Sequence, residues 1–143
     1  MLDNCIFCKI INDEVPSYKV YEDDLVLAFL DLSQTTPGHT LVVPKKHVSN
    51  IYEYDEKLAS EVFARIPKIA RAIQASNPNI KGMHILSNNG EVAYQSVFHS
   101  HFHLIPRYTD NDSFKITFKD NSGKYLPTDL SEIQKSIQES FGE

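Results

Sequence analysis

Apolar residues recur at helical spacing in one long stretch, residues 55–75, where Leu58, Val62, Ile66, Ile69 and Ile73 fall on a single stripe. The pattern predicts an amphipathic helix. Pro67 sits inside that stripe and removes the bond to Phe63, so a kink or a break is expected there. Asn77-Pro78-Asn79 ends the segment. Elsewhere the apolar runs are short and bounded by turn residues, the mark of strands. Residues 19–22 and 25–30 read as two strands around an Asp23-Asp24 turn, 39–43 as a third closed by Pro44, 83–87 as a fourth and 97–106 as a fifth. Residues 5–11 form a short helix or turn, broken by Val15-Pro16-Ser17, and 31–38 form a loop. After Arg107 the chain is polar and irregular to about residue 128. A final helix follows, with Asp129 and Glu132 placed as a capping box and Leu130, Ile133, Ile137 and Phe141 as its buried stripe. Hairpin-type strands with two main helices make the class α+β, with an antiparallel sheet.

Composition narrows this picture little, and charge narrows it more. A chain of 143 residues with 41% hydrophobic and 23% charged residues fits one domain with a genuine core. The net charge of -5 argues against a nucleic-acid binder, which needs a basic face, but a mononucleotide needs only a few donors. No apolar run approaches a membrane span, and the first residues lack a basic-then-apolar signal pattern, so a cytoplasmic protein with no membrane partner is expected. Thiols are reduced in that compartment, which makes Cys5 and Cys8 a poor disulfide pair.

The chemistry concentrates in His99-Ser-His-Phe-His-Leu-Ile, where His99, His101 and His103 stand at i, i+2 and i+4. On a strand these three imidazoles share one face, while Ser100, Phe102 and Leu104 take the other. Packing three imidazoles as core is costly, because each nitrogen needs a partner. Residues i and i+4 of a strand lie about 13 Å apart, too far for one metal ion to meet all three, so the trio is read as lining a cleft. A central histidine held in one tautomer attacks phosphorus well, and flanking imidazoles polarise the phosphate and move protons.

A second constellation is Cys5-Ile6-Phe7-Cys8, a spacing that lets two thiolates reach one tetrahedral zinc. Alone it does not separate a metal site from two buried free cysteines. A redox motif of that spacing would follow a strand, and none precedes it here. Any further ligands come from the six histidines, His39, His47, His84, His99, His101 and His103.

The run His99 to Ile105 resembles the motif of the histidine-triad nucleotide-binding proteins. Cys-Ile-Phe-Cys-Lys-Ile-Ile, Leu-Ala-Phe-Leu-Asp-Leu, Pro-Gly-His-Thr-Leu-Val-Val-Pro-Lys-Lys-His, Asn-Asn-Gly and Gln-Ser-Val are similar to family blocks and stand in family order across residues 4–108. The likeness is greatest to the bacterial Hint-like branch. Residues 109–143 are then an extension carrying the last helix. Ser100 departs from the motif, which has an apolar residue there; a packing change without loss of activity is expected.

The resemblance implies a five-stranded antiparallel sheet that continues into a partner's sheet in a homodimer. It also implies a purine nucleotide site and hydrolysis through a nucleotidyl-histidine. By matching position, His101 is the nucleophile, His99 and His103 flank it, and His39 supports the site. Asn88, Gln95 and Ser96 match phosphate or leaving-group contacts, and Asp31 matches the ribose carboxylate. Ile6, Phe7, Ile10, Leu32 and Leu41 match the base pocket. Members with this cysteine pair resemble a zinc-binding subset, which maps the metal to Cys5, Cys8, His47 and His99. The expected activity is phosphoramidase-like; a dinucleoside polyphosphate hydrolase and a regulatory nucleotide-binding dimer with little turnover are the alternatives. Lys45-Lys46 reads as a solvated turn and His84 as an ordinary strand residue.

Overall fold

The computed structural model describes residues 4–141. In chain order the elements are α1 (Ile6–Ile11), β1 (Lys19–Glu22), β2 (Val26–Leu30), β3 (Thr40–Pro44), α2 (Glu56–Ala75), β4 (Gly82–Ser87), β5 (Phe102–Arg107) and α3 (Pro127–Glu139), with 3-10 turns at Ile51–Glu53 and Glu91–Ala93. The five strands form one sheet in the order β1-β2-β3-β5-β4, every neighbouring pair antiparallel, so β1 and β4 are its edges. This is an α+β architecture with a five-stranded antiparallel sheet.

Both faces of the central strands are covered, which explains why β2 and β3 read as continuous apolar runs instead of alternating. On one face Val26, Ala28, Val42, Phe102 and Leu104 pack with Leu58, Val62, Ile66, Ile69 and Ile73 of α2. On the other, Leu27, Phe29, Leu41 and Val43 pack with Cys5, Phe7, Cys8, Ile10 and Ile11 at α1. Because Phe102 and Leu104 face α2, the alternation of β5 turns His101 and His103 toward α1. Register agrees, for His103 lies opposite Leu41 on β3.

The long helix is capped by Asp55, whose Oδ1 accepts the N–H of Leu58 at 2.8 Å. It runs unbroken through Pro67. Losing one backbone bond there costs about 3 kcal/mol. The five buried stripe residues offset this, since each contributes about 1.5–3 kcal/mol by burial. The β1–β2 turn is tied to the same helix. Asp23 Oδ1 accepts from Leu25 and Val26 N–H at 2.8 and 2.9 Å, and its Oδ2 accepts from Arg65 Nε at 2.5 Å.

Three expectations need correction. The fifth strand begins at Phe102, not residue 97, because its N-terminal neighbours bond elsewhere: Ser100 N–H donates to Val48 O at 2.7 Å, and the Pro44 carbonyl receives His99 Nε2 at 2.8 Å. His99 therefore does not share a strand face with His101 and His103. The last helix starts at Pro127, with Asp129 Oδ2 accepting Leu126 N–H at 2.8 Å in its first turn. Its stripe of Leu130, Ile133, Ile137 and Phe141 is exposed, since no element of the described chain lies over it. The Lys45-Lys46 segment is only partly solvated, as Lys45 Nζ meets Glu22 Oε2 at 2.8 Å.

Candidate active site

The α1 face of the sheet carries a cavity of about 400 Å³. One end is apolar, walled by Ile6, Phe7, Ile10, Phe29 and Leu41, with Asp31 and Leu32 at its rim. The other end is polar and gathers Asn88, Ser96, His101 and His103. Phe7 joins the two, its ring edge-on to His101 with centroids 5.0 Å apart. The shape suits a molecule with a flat apolar end and an anionic end.

Hydrogen bonds assign the tautomers of these imidazoles. His101 Nδ1 donates to the carbonyl of His99 at 2.8 Å, which leaves Nε2 as a bare lone pair. The opposite arrangement is built at His103. The N–H of Thr35 donates to His39 Nδ1 at 3.3 Å, so the proton of His39 is on Nε2 and donates to His103 Nδ1 at 2.9 Å. His103 then carries its own proton on Nε2. The site thus combines a nucleophilic nitrogen on His101 with a hydrogen-bond donor on His103, and their rings lie 5.1 Å apart.

Burial favours the neutral form of these rings. It lowers His101 below the ordinary range, against the His99 carbonyl and the Asp31 charge, which act to raise it. His103 is pushed down to about 4, by burial first and then by His101 and His39 beside it. Burial lowers His39 as well, with Asp31 opposing. Asp31 behaves in the contrary sense. Burial raises its carboxyl, but Ser33 donates to it twice, from Oγ at 2.6 Å and N–H at 2.8 Å, and the net shift is downward. An ionised carboxylate therefore sits at the rim as a pure acceptor.

Beside this cavity lies a cluster of four donors. Cys5 Sγ is 3.5 Å from His99 Nδ1, Cys8 Sγ is 3.6 Å from the same nitrogen and 3.4 Å from His47 Nδ1, and the two nitrogens are 3.1 Å apart. Those four separations match edges of a tetrahedron of the size that one metal ion requires. Bonds of about 2.3 Å to sulfur and 2.0 Å to nitrogen require S···N edges near 3.5 Å and N···N edges near 3.3 Å. His99 is prepared for the role, as Nε2–H donates to Pro44 O at 2.8 Å and leaves Nδ1 free to ligate. Asp31, His39 and His103 also come close together, yet the Thr35 bond commits the His39 Nε2 lone pair to a proton, which disfavours a metal there.

Most of the residues singled out in the sequence meet at these two places. Gln95 does not line the cavity. It is buried and braces the preceding loop, its Oε1 accepting from Gly90 N–H at 2.8 Å and its Nε2 donating to Ser49 O at 2.6 Å. His39 stands behind His103, outside the lining. Leu32 lines the rim while 81% exposed. Ser100 points to the α2 side, where its hydroxyl meets Tyr54 OH at 2.9 Å. His84 is less ordinary than its strand position suggests, with Nε2 2.9 Å from Arg107 Nη1. Sequence reasoning missed Pro16, Ser17, Phe29, Leu30, Tyr94 and Val97 in the lining. Ser17 Oγ is buried without a hydrogen-bond partner, and Tyr94 has a left-handed backbone; neither property has a signal in the one-dimensional pattern.

The chain is similar to known proteins in both sequence and fold. A family model described as the HIT domain matches residues 12–110. A HIT family member of known structure from Bacillus subtilis is similar with a TM-score of 0.95 and 52% identity, covering 99% of each chain. The adenosine 5'-monophosphoramidase hnt1 of Schizosaccharomyces pombe is 40% identical over 104 residues, which cover 73% of this chain and 74% of that one. A zinc-bound histidine triad family protein from Mycobacterium smegmatis is similar with a TM-score of 0.73 and 32% identity, covering 93% of this chain and 97% of that one.

Proposed function

The chain belongs to the HIT family, and we propose that it is a hydrolase that removes a leaving group from the α-phosphate of purine nucleoside monophosphate derivatives, phosphoramidates first among them. The observation that carries this reading is the pair of opposed tautomers, a lone pair on His101 Nε2 beside a proton on His103 Nε2. The base lies against Ile6, Phe7, Ile10 and Leu41, the ribose hydroxyls donate to Asp31, and the phosphate sits among His101, His103, Asn88 and Ser96. His101 Nε2 attacks phosphorus and the P–N bond breaks. The amine leaves with a proton drawn from water at the open rim. A second water then attacks phosphorus, the P–Nε2 bond breaks, and the nucleoside monophosphate and a proton are released. In both steps His103 donates to the phosphoryl oxygen that gains charge. The relative named as an adenosine 5'-monophosphoramidase supports the substrate class.

The same reading includes zinc held by Cys5, Cys8, His47 and His99, supported by the tetrahedral edge lengths and by the zinc-bound relative. These four residues would hold zinc in a structural role, with no chemistry supplied to the phosphate: the segment before β5 would be tied to the N-cap of α1, and His101 would be steadied through the His99 carbonyl. The reading further includes a cytoplasmic homodimer joined along the open edge of β4, where Ile85 is exposed.

Steady-state assays with adenosine 5'-phosphoramidate and diadenosine triphosphate test the proposal. Faster cleavage of the phosphoramidate is expected, with His101→Ala losing turnover and still binding AMP. Unchanged turnover in that variant would sink the mechanism, and faster cleavage of the triphosphate would reassign the substrate.

A further inference from the structure

The segment 88–96 contributes Asn88, Tyr94 and Ser96 to the cavity lining. The backbone of Tyr94 is left-handed, with φ 69° and ψ 22°, a conformation that L side chains disfavour and glycine does not. The ring is 87% exposed and makes no hydrogen bond, ion pair or ring contact among the described residues, so packing does not explain the side chain. The loop nevertheless holds it firmly in place. Tyr94 N–H donates to Glu91 O at 3.0 Å, and the next residue, Gln95, clamps Gly90, Ser49 and Val97 through its buried amide. A disfavoured conformation that the surroundings enforce is a reason to look for function.

We propose that Tyr94 is a specificity-determining platform for the leaving group, stacking on a flat aromatic ring attached to the α-phosphate. This rests on the hydrolase reading above and narrows its substrate class. Chain connectivity supports it: Tyr94 lines the cavity from the same short segment as Asn88 and Ser96, which the reading assigns to the phosphate, whereas the apolar wall assigned to the purine comes from α1, β2 and β3. A group departing from phosphorus opposite His101 leaves past this rim. An unpaired phenol ring offers it a stacking face worth about a three- to tenfold preference. The ring can belong to an arylalkyl amine or to the second base of a dinucleoside polyphosphate.

The test compares wild type, Tyr94→Gly and Tyr94→Phe on three substrates: adenosine 5'-phosphoramidate, its N-phenethyl derivative and diadenosine triphosphate. Glycine suits the backbone angle, so that variant keeps the loop. In wild type kcat/KM for the phenethyl compound is expected to exceed that for the unsubstituted one by about three- to tenfold. Tyr94→Gly removes this ratio and Tyr94→Phe keeps it. A parallel loss on diadenosine triphosphate, alone or together with the phenethyl loss, assigns the second base to the platform. Equal ratios in wild type and Tyr94→Gly on both aromatic substrates overturn the proposal. So does a change of solution mass in Tyr94→Gly, which would make the ring an interface residue. Should wild type cleave none of the three, the hydrolase reading fails separately. Tyr94 is then judged by the Kd of the phenethyl compound relative to AMP, where an unchanged ratio in Tyr94→Gly overturns it.

Discussion

Replacing His39 by Phe isolates the arm of the site that prepares His103. A ring of similar size fills the buried slot, but both nitrogens are lost. The Thr35 N–H loses a long bond of 3.3 Å, a minor matter, while His103 Nδ1 loses the donor that stands 2.9 Å away. A buried acceptor left without its partner costs about 1–3 kcal/mol. His103 is not fully buried, so reorientation toward water recovers part of this, and about 1–2 kcal/mol remains. If His103 Nε2–H meets charge that develops on the phosphoryl oxygen, the loss appears in kcat and amounts to roughly five- to thirtyfold, at 1.36 kcal/mol per factor of ten. The assay is steady-state hydrolysis of adenosine 5'-phosphoramidate, with thermal melting to verify folding. A folded His39→Phe protein with kcat within twofold of wild type would refute the tautomer argument. A loss confined to KM would place His39 in ground-state binding instead.

Two further outcomes are expected. Elemental analysis of wild type should find about one zinc per chain, and Cys8→Ser should lose the metal together with several degrees of melting temperature; a metal-free wild type that is fully folded would contradict the site. Acid should destabilise the protein in a defined window. His103 is held at about 4 when folded against 6.5 when free, so above 6.5 both states are neutral and nothing is gained or lost. As pH falls through 6.5 toward 4 the unfolded chain takes up a proton that the folded site refuses, and stability drops by about 1–2 kcal/mol once solvent screening of the part-exposed ring is counted. Denaturant titrations at pH 7 and pH 4.5 on His103→Gln, in which this component of the pH dependence should vanish, measure it.

The strands and helix α2 were readable because their signals are local. A stripe of five aliphatic residues at helical spacing and short apolar runs bounded by turn residues predict elements whatever surrounds them. The last helix was read correctly as a helix and wrongly as buried, since periodicity reports an apolar face but not what covers it. The histidines show the same division. Their spacing marked a site, yet it suggested three equivalent side chains on one strand face. Which imidazole donates to His103, and why His99 leaves the strand for the cysteines, depend on residues far along the chain: His39 is 64 positions from His103, and Pro44 is 55 from His99.

From its sequence alone this protein has its secondary structure, the identity of the clustered histidines and cysteines, and, by resemblance, its family. Tertiary structure alone decided the rest: four donors from three distant segments brought within 3.1–3.6 Å contacts, two imidazoles set in opposite tautomers, and a tyrosine held at a backbone angle suited to glycine. The physical reason is common to all three. Proton position, ligand geometry and backbone strain are set by partners across space, and spacing along a chain carries no record of them.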